Sequence, residues 1–255
     1  TAVPAVGVVV PAAGAGRRLG GGAKALVSLA GRALLAHVVE AIEADRCTAA
    51  VVVVGHPDAL EGTAKLVAEE GFTKVTAVVA GGPTRRASVA AGLRALPLGL
   101  GYVAVHDVAR PLVGPGVVDR MLGLLLEARA AGVVPGVPVT DTIRRVDAVQ
   151  RSTGIVDRER MRAMQTPQLF VREVLEEAHR LALRERIEAA DDAALVELAG
   201  HLVLVVPGDP ENLKVTTPLD LAVAETLLAR RGPAGRGPGD PWAGAPGDRE
   251  DGEDR

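Results

Sequence analysis

The feature that most constrains how this chain can fold is a recurring pair. A short, unbroken run of β-branched and small apolar residues is followed by a longer segment with apolar residues at helical spacing. The runs are Val6–Val10, Ala50–Val54, Val75–Val79, Tyr102–His106, Val133–Val137 and His201–Val206. They do not alternate apolar with polar, which is the pattern of strands covered on both faces. Between them stand stripes such as Leu34, Leu35, Val38, Val39, Ile42 and Val117, Met121, Leu124, Leu125, Ala128, each spaced to form one side of a helix. Strand–helix repetition with right-handed crossovers implies an α/β fold, a doubly wound and mostly parallel sheet with helices on both faces. In such sheets ligands bind beyond the carboxyl ends of the strands. The residues that follow each run are therefore where the chemistry is sought.

One stretch departs from the pattern. Residues 138–160 carry no helical stripe, and two extended runs, Thr142–Val146 and Gly154–Val156, flank a polar turn. This predicts a β-hairpin arm. A lone two-stranded hairpin is marginal in water, so the arm needs a surface to lie on, either a second subunit or its own domain.

Composition narrows the function classes. With 48% hydrophobic residues in 255, the chain can build one large core. No apolar run has the length of a membrane span. Residues Thr1 to Pro11 lack the basic start of a signal peptide. The single cysteine, Cys47, fits a reducing compartment, so a cytoplasmic protein with no membrane partner is expected. Only four aromatics are present (Phe72, Tyr102, Phe170, Trp242) and the net charge is −3. Neither a stacking platform nor broad attraction to nucleic acid is available, and any bound base must be read by backbone groups and small polar side chains. Residues 232–255 hold seven Gly, four Pro and six acids against three Arg. They read as a disordered acidic tail, leaving residues 1–231 as the folded domain.

The first run ends in Pro11-Ala12-Ala13-Gly14-Ala15-Gly16-Arg17-Arg18, with Lys24 close behind. Small residues let backbone N–H groups approach a phosphate, and the paired arginines and the lysine supply the opposite charge. The Rossmann fingerprint fails because Leu19 stands where its third glycine belongs. The Walker A pattern fails because Ala25 follows Lys24. After the third run come Gly81, Gly82, Pro83, Thr84 and Ser88. Thr84 is placed to cap a helix beginning at Arg85. The loop is either a nucleotide-binding turn or an ordinary strand–helix connection. After the fourth run, Asp107 can hold a hydroxyl or a metal's water shell and Arg110 a phosphate, or the two can pair with each other. His106 reads as a structural histidine at the strand end. Near the C-terminus Thr217-Pro218 with Asp220 forms a helix start. That leaves Lys214, just ahead of it, free to point into the cleft.

In this order the motifs resemble the 2-C-methyl-D-erythritol 4-phosphate cytidylyltransferase family, along about residues 6–230. The matching pieces are Pro-Ala-Ala-Gly-x-Gly-x-Arg at 11–18, Lys24, Gly81-Gly82, Ser88 and Val-His-Asp-x-Ala-Arg-Pro at 105–111. They continue with Asp141-Thr142-Ile143, Asp157-Arg158, Gln165-Thr166-Pro167-Gln168, Asp191-Asp192-Ala193 and Leu213-Lys214-Val215-Thr216. The resemblance implies a nucleotidyltransferase-type, Rossmann-like sheet and attack of a sugar phosphate on the α-phosphorus of CTP, with release of pyrophosphate. It implies that Arg18 and Lys24 stabilise the transition state while Arg158 and Lys214 position the methylerythritol phosphate. It assigns nucleotide binding to Pro11, Ala12, Ala13, Gly14, Gly16, Gly82 and Ser88. Asp107, Arg110, Thr142 and Thr166 fall to the sugar-phosphate site. It further implies Mg2+ held mainly by the nucleotide phosphates, with Asp107 as a possible ligand, and a homodimer in which the arm crosses to the second subunit. This chain departs from the family pattern at Ala23 and Ala25 around the lysine, at Pro83 and at Ala190. A ribitol 5-phosphate cytidylyltransferase and a non-catalytic nucleotide-binding homologue are the alternatives. The second is disfavoured by the presence of Arg18, Lys24 and Lys214 together.

Overall fold

The structure is a computed structural model and describes residues 4–14, 16–19 and 21–231. The expected tail at 232–255 lies outside them. The first strand, β1 (Val6–Ala12), is followed by a miniature hairpin, β2 (Ser28–Leu29) and β3 (Arg32–Ala33), and then by α1 (Leu34–Glu43). Next come β4 (Thr48–Gly55), α2 (Leu60–Glu70), β5 (Val75–Ala80), α3 (Arg85–Ala95), β6 (Tyr102–Val105), α4 (Val117–Ala128) and β7 (Gly132–Pro138). The arm is β8 (Arg144–Val146) and β9 (Ser152–Ile155). The chain closes with β10 (Arg162–Met164), β11 (Gln168–Val171), α5 (Arg172–Glu185), α6 (Asp192–Leu198), β12 (Val203–Pro207) and α7 (Pro218–Arg231).

The sheet runs β10-β7-β11-β6-β1-β4-β5, with β12 also paired to β7. Strands β5, β4, β1 and β6 are mutually parallel, and β12 is parallel to β7. Each of the six apolar runs supplies one of these strands, with β6 stopping at Val105 and β12 beginning only at Val203. Strands β10 and β11 are antiparallel insertions, and sequence reading missed both. They are only three and four residues long, too short to carry a periodic signal.

Successive valines of β1 serve both faces. Val8 and Val10 join Leu35, Val39 and Ile42 of α1 and Met121, Leu122 and Leu125 of α4 in one core. Val9 joins Val89 and Leu93 of α3 with Leu175 and Ala178 of α5 in the other. A smaller cluster (Leu29, Leu34, Leu112, Val215, Ala224) seats α7 against the β2–β3 hairpin. Among the described residues, no helix is long and apolar enough to cross a membrane.

One core-edge group is under electrostatic load. Asp45, just past α1, is fully buried. Its Oδ1 takes only a long 3.5 Å bond from the Asp119 amide, and its Oδ2 has no partner. The Asp119 carboxylate is turned to the Arg46 and Cys47 amides. Burial, then the charge of Asp119, pushes Asp45 up to about 7, with nearby Arg120 opposing. An acid that binds its proton more tightly when folded stabilises the fold below its unfolded value of 3.8. That contribution is lost as pH rises through about 7. A shift of this size corresponds to at most about 4 kcal/mol. Asp45→Asn is therefore expected to flatten the fall in melting temperature between pH 5 and pH 8 and to melt above the wild type at pH 8. Thermal unfolding at both pH values checks this, and an unchanged slope contradicts it.

Candidate active site

Three strand ends and one C-terminal loop meet in a cavity of about 290 Å³ at the carboxyl edge of the sheet, lined in part by Pro11, Gly14, Lys24, Gly82, Asp107 and Lys214. From β1, Pro11, Ala13 and Gly14 supply one wall. The loop then turns back on itself, and the Lys24 amide donates to the Gly14 carbonyl at 3.0 Å. Gly16 makes this possible. Its φ is +54°, and a Cβ there would stand 2.9 Å from the Gly22 carbonyl oxygen. Lys24 thus opens a short 3₁₀ turn with Ala25 buried behind it.

From β5, Gly81 lets the second loop touch the first, since a Cβ at Gly81 would lie 2.4 Å from that of Ala13. The Thr84 hydroxyl accepts from the Ala87 amide at 3.1 Å and caps α3, as its sequence position predicts. Ser88, one turn further, is buried. Its Oγ accepts from the Gly82 amide at 3.1 Å and donates to the Thr84 carbonyl at 3.0 Å. Gly82, Pro83, Thr84, Arg85 and Ser88 all line the cavity.

From β6 comes a chain of bonds that orients Asp107. Its amide donates to Thr166 Oγ1 at 3.0 Å, and that hydroxyl lies 3.2 Å from His106 Nδ1. His106 Nε2 sits 3.1 Å from the Arg110 carbonyl, which can only accept. Nε2 therefore carries the proton and Nδ1 accepts from Thr166. Burial pulls His106 down to about 4, so it is neutral near pH 7 and acts as a strut, in line with its reading as a structural histidine.

Asp107 and Arg110 do not pair. The Asp107 carboxylate takes Lys214 Nζ at 2.8 Å on Oδ2, and Arg85 Nε and Nη2, both at 3.3 Å, on Oδ1. Burial alone would raise this carboxyl, but Arg85 and Lys214 outweigh it and hold Asp107 at about 2. Arg110 instead lies behind the pocket, 8% exposed. Its Nη1 donates to the Asn212 carbonyl at 2.7 Å and its Nη2 to the Met164 carbonyl at 3.0 Å. With Gln165, which clasps Asp209, and the Val215 amide bonded to the Ala109 carbonyl, this braces the loop that carries Lys214. The capping residue Thr217 receives the Asp220 amide, and the Asp220 carboxylate accepts the Thr216 and Thr217 amides, so α7 starts where its sequence predicts.

Among the described residues, the cavity lining carries three cations, Lys24, Arg85 and Lys214, against the one carboxylate of Asp107. Lys24 is held below the usual lysine range first by burial and then by Lys214 and Arg18, with Asp107 and Asp220 opposing. Asp107 offsets part of this charge through Lys214 and Arg85, and an incoming anion would offset more.

Not every residue singled out from sequence reaches this cavity. Pro11, Ala13, Gly14, Lys24, Gly82, Ser88, Asp107 and Lys214 line it. Ala12 is buried in β1, and Gly16 shapes the loop. Arg18 stands on the exposed rim, felt by Lys24. Thr166 acts through Asp107, and Arg110 through the Lys214 loop. Thr142 and Arg158 are exposed on the arm, where Arg158 donates to the Thr140 carbonyl. Arg85 and Asp192, noted in the sequence only as a helix start and as part of a motif, carry a role at the site that the sequence did not assign. Arg85 directly follows the predicted cap, so its place at the mouth of the pocket was available. Its pairing with Asp192 was not.

The chain matches the 2-C-methyl-D-erythritol 4-phosphate cytidylyltransferase family over residues 6–230. It belongs to that family. Similar relatives bearing the family name occur in Frankia casuarinae, 44% identical with 91% of this chain and 85% of the relative covered, and in Streptomyces coelicolor, 44% identical with 88% and 84% covered. The crystal structure of the family enzyme from Thermus thermophilus superimposes with a TM-score of 0.72 at 38% identity, covering 87% of this chain and 98% of that one. Membership also gives meaning to the departures. Of these, Ala25 is fully buried and Pro83 lies in the cavity wall.

Proposed function

We propose that this chain transfers a cytidylyl group from CTP to 2-C-methyl-D-erythritol 4-phosphate, giving the cytidine diphosphate derivative and pyrophosphate. The observation that carries this reading is the convergence of Lys24, Lys214 and Asp107 with the Gly82–Ser88 loop in one cavity at the sheet's carboxyl edge. The bond made is from a phosphate oxygen of the sugar to the α-phosphorus, and the bond broken is that to the bridging oxygen of the leaving pyrophosphate. Charge builds on the equatorial and leaving oxygens, where fixed cations act. Lys24, with Arg18 at the rim, supplies them. The cytosine is assigned to the Gly81–Ser88 loop, in which the Gly82–Ser88–Thr84 bonds fix the backbone and Gly81 packs closely on Ala13.

Among the described residues, Asp107 is the carboxylate lining the cavity, and it is ionised far below neutral pH. A single carboxylate beside a triphosphate fits a Mg2+ held mostly by phosphate oxygens. When bound, that ion would neutralise charge on the leaving pyrophosphate.

We infer a homodimer for the sugar-phosphate half of the site. The arm leaves Val146, Val149 and Ile155 more than half exposed, and a two-stranded hairpin with its apolar side chains so exposed needs a further surface. Thr142 and Arg158 ride on it, away from their own chain's cavity.

The test is incubation with CTP, Mg2+ and either methylerythritol phosphate or ribitol 5-phosphate, following pyrophosphate release. Turnover with methylerythritol phosphate at least about tenfold above ribitol 5-phosphate is expected, and chelation should abolish it. Preference for ribitol 5-phosphate overturns the acceptor assignment, and no turnover with either overturns the reaction.

A further inference from the structure

From the cavity wall a line of charge runs back into the protein through Arg85 and Asp192. Arg85 opens α3 and faces two carboxylates at once. Its Nε and Nη2 reach Asp107 Oδ1 at 3.3 Å, and its Nη1 reaches Asp192 Oδ2 at 2.6 Å. Asp192, the first residue of α6, is fully buried, and its Oδ1 lies 2.9 Å from Nε2 of the buried His179. Gln168 secures the same corner, donating to Asp191 Oδ2 at 2.8 Å and accepting the Ala193 amide at 3.2 Å. Arg85 is therefore clamped from behind by α5, α6 and β11.

Lys214 is held differently. Its side chain is 48% exposed and, among the described residues, its Nζ has one acceptor, Asp107 Oδ2 at 2.8 Å. Asp107 is 13% exposed and cannot stay ionised in such a place without a counter-ion. If Lys214 were its sole partner, moving that ammonium to an incoming phosphate would strand a nearly buried carboxylate. Removing one partner of a buried pair is among the costliest changes a site can undergo. With Arg85 fixed on the opposite oxygen, the carboxylate stays compensated when Lys214 departs. Lysine, a point charge on a flexible stem, suits the moving role. The planar fork of arginine suits the fixed one, because it can span two carboxylates.

We propose that Arg85 is a positioning residue of the transfer: as the permanent counter-ion of Asp107, locked by Asp192, it frees Lys214 to exchange that carboxylate for a substrate phosphate. This rests on the reaction proposed above, and wild-type turnover with CTP and methylerythritol phosphate tests that reaction separately. Without Arg85, Lys214 stays pinned to Asp107. Without the Asp107 charge there is nothing to pin it.

The experiment is a double-mutant cycle of Arg85→Ala with Asp107→Asn, read as kcat and KM for methylerythritol phosphate, with CTP affinity measured alongside. In the native background Arg85→Ala should lower kcat/KM for the sugar phosphate by about 10–100-fold. In the Asp107→Asn background the same change should lower it by less than about threefold. An equal loss in both backgrounds overturns the proposal, since a residue that merely supports the fold does not need the Asp107 charge to be missed. If Arg85→Ala fails to fold, the cycle is run with Arg85→Lys, whose single ammonium cannot span both carboxylates. The same background dependence supports the proposal, and its absence overturns it.

Discussion

Replacing Lys24 by alanine should lower kcat by about 10²–10³-fold while changing CTP affinity by less than about tenfold. The Lys24–Gly14 backbone bond and the buried Ala25 fix where the lysine begins, and the cavity wall fixes where it ends. Its ammonium shares the cavity with Lys214 and has Arg18 at the rim. Burial, and then repulsion from Lys214 and Arg18, hold Lys24 below the usual lysine range. A triphosphate relieves the repulsion, but several groups can do that, so losing one weakens binding only modestly. Charge developing at the α-phosphorus is met by fewer groups, so the loss falls on kcat. A second outcome follows from linkage. The alkaline limb of kcat/KM for CTP reports the free enzyme, in which Lys24 is lowered. That of kcat reports the complex, in which phosphate raises it again. The first limb should therefore lie at lower pH than the second. A Lys24→Ala enzyme with full kcat and only a raised KM would mean that the lysine binds ground and transition states alike.

Much of this was legible because the physics is local. The valine runs of β1, β4 and β6 announce strands buried on both faces, and parallel strands bring their carboxyl ends together whatever lies between them. Residues 11–24, 81–88 and 107 were thereby bound to meet. Thr84 and Thr217 declared their helices through capping alone. What stayed hidden depends on distant partners or on unmet backbone. The Arg85–Asp192 pair joins positions 107 residues apart, and no spacing rule reaches that far. Arg110 sits three residues from Asp107, which invited an ion pair or a phosphate contact. The carbonyls of Met164 and Asn212 take the guanidinium instead, because buried acceptors of that kind must be met by a donor. Strand β11 was hidden for a different reason. It is short and slips antiparallel between β6 and β7, a placement set by the sheet as a whole.

In the homodimer we infer, a working site takes its nucleotide half from one chain and its sugar-phosphate half from the arm of another. Lys24 lines the cavity. Thr142 and Arg158 sit on an arm that leaves its own cavity without them. Subunit complementation tests this most directly. Lys24→Ala disables the cavity half and Thr142→Arg the arm half, so each homodimer is inactive. In a mixed dimer, one site combines an intact Lys24 from one protomer with an intact Thr142 from its partner. Random exchange of equal amounts makes half the dimers mixed, each with one good site. Recovery to about one quarter of wild-type activity is then expected. Mass-resolved detection of the mixed dimer establishes that exchange has occurred. If the mixed dimer forms and activity stays at the level of the two parents, each arm serves its own chain, and the composite site is wrong.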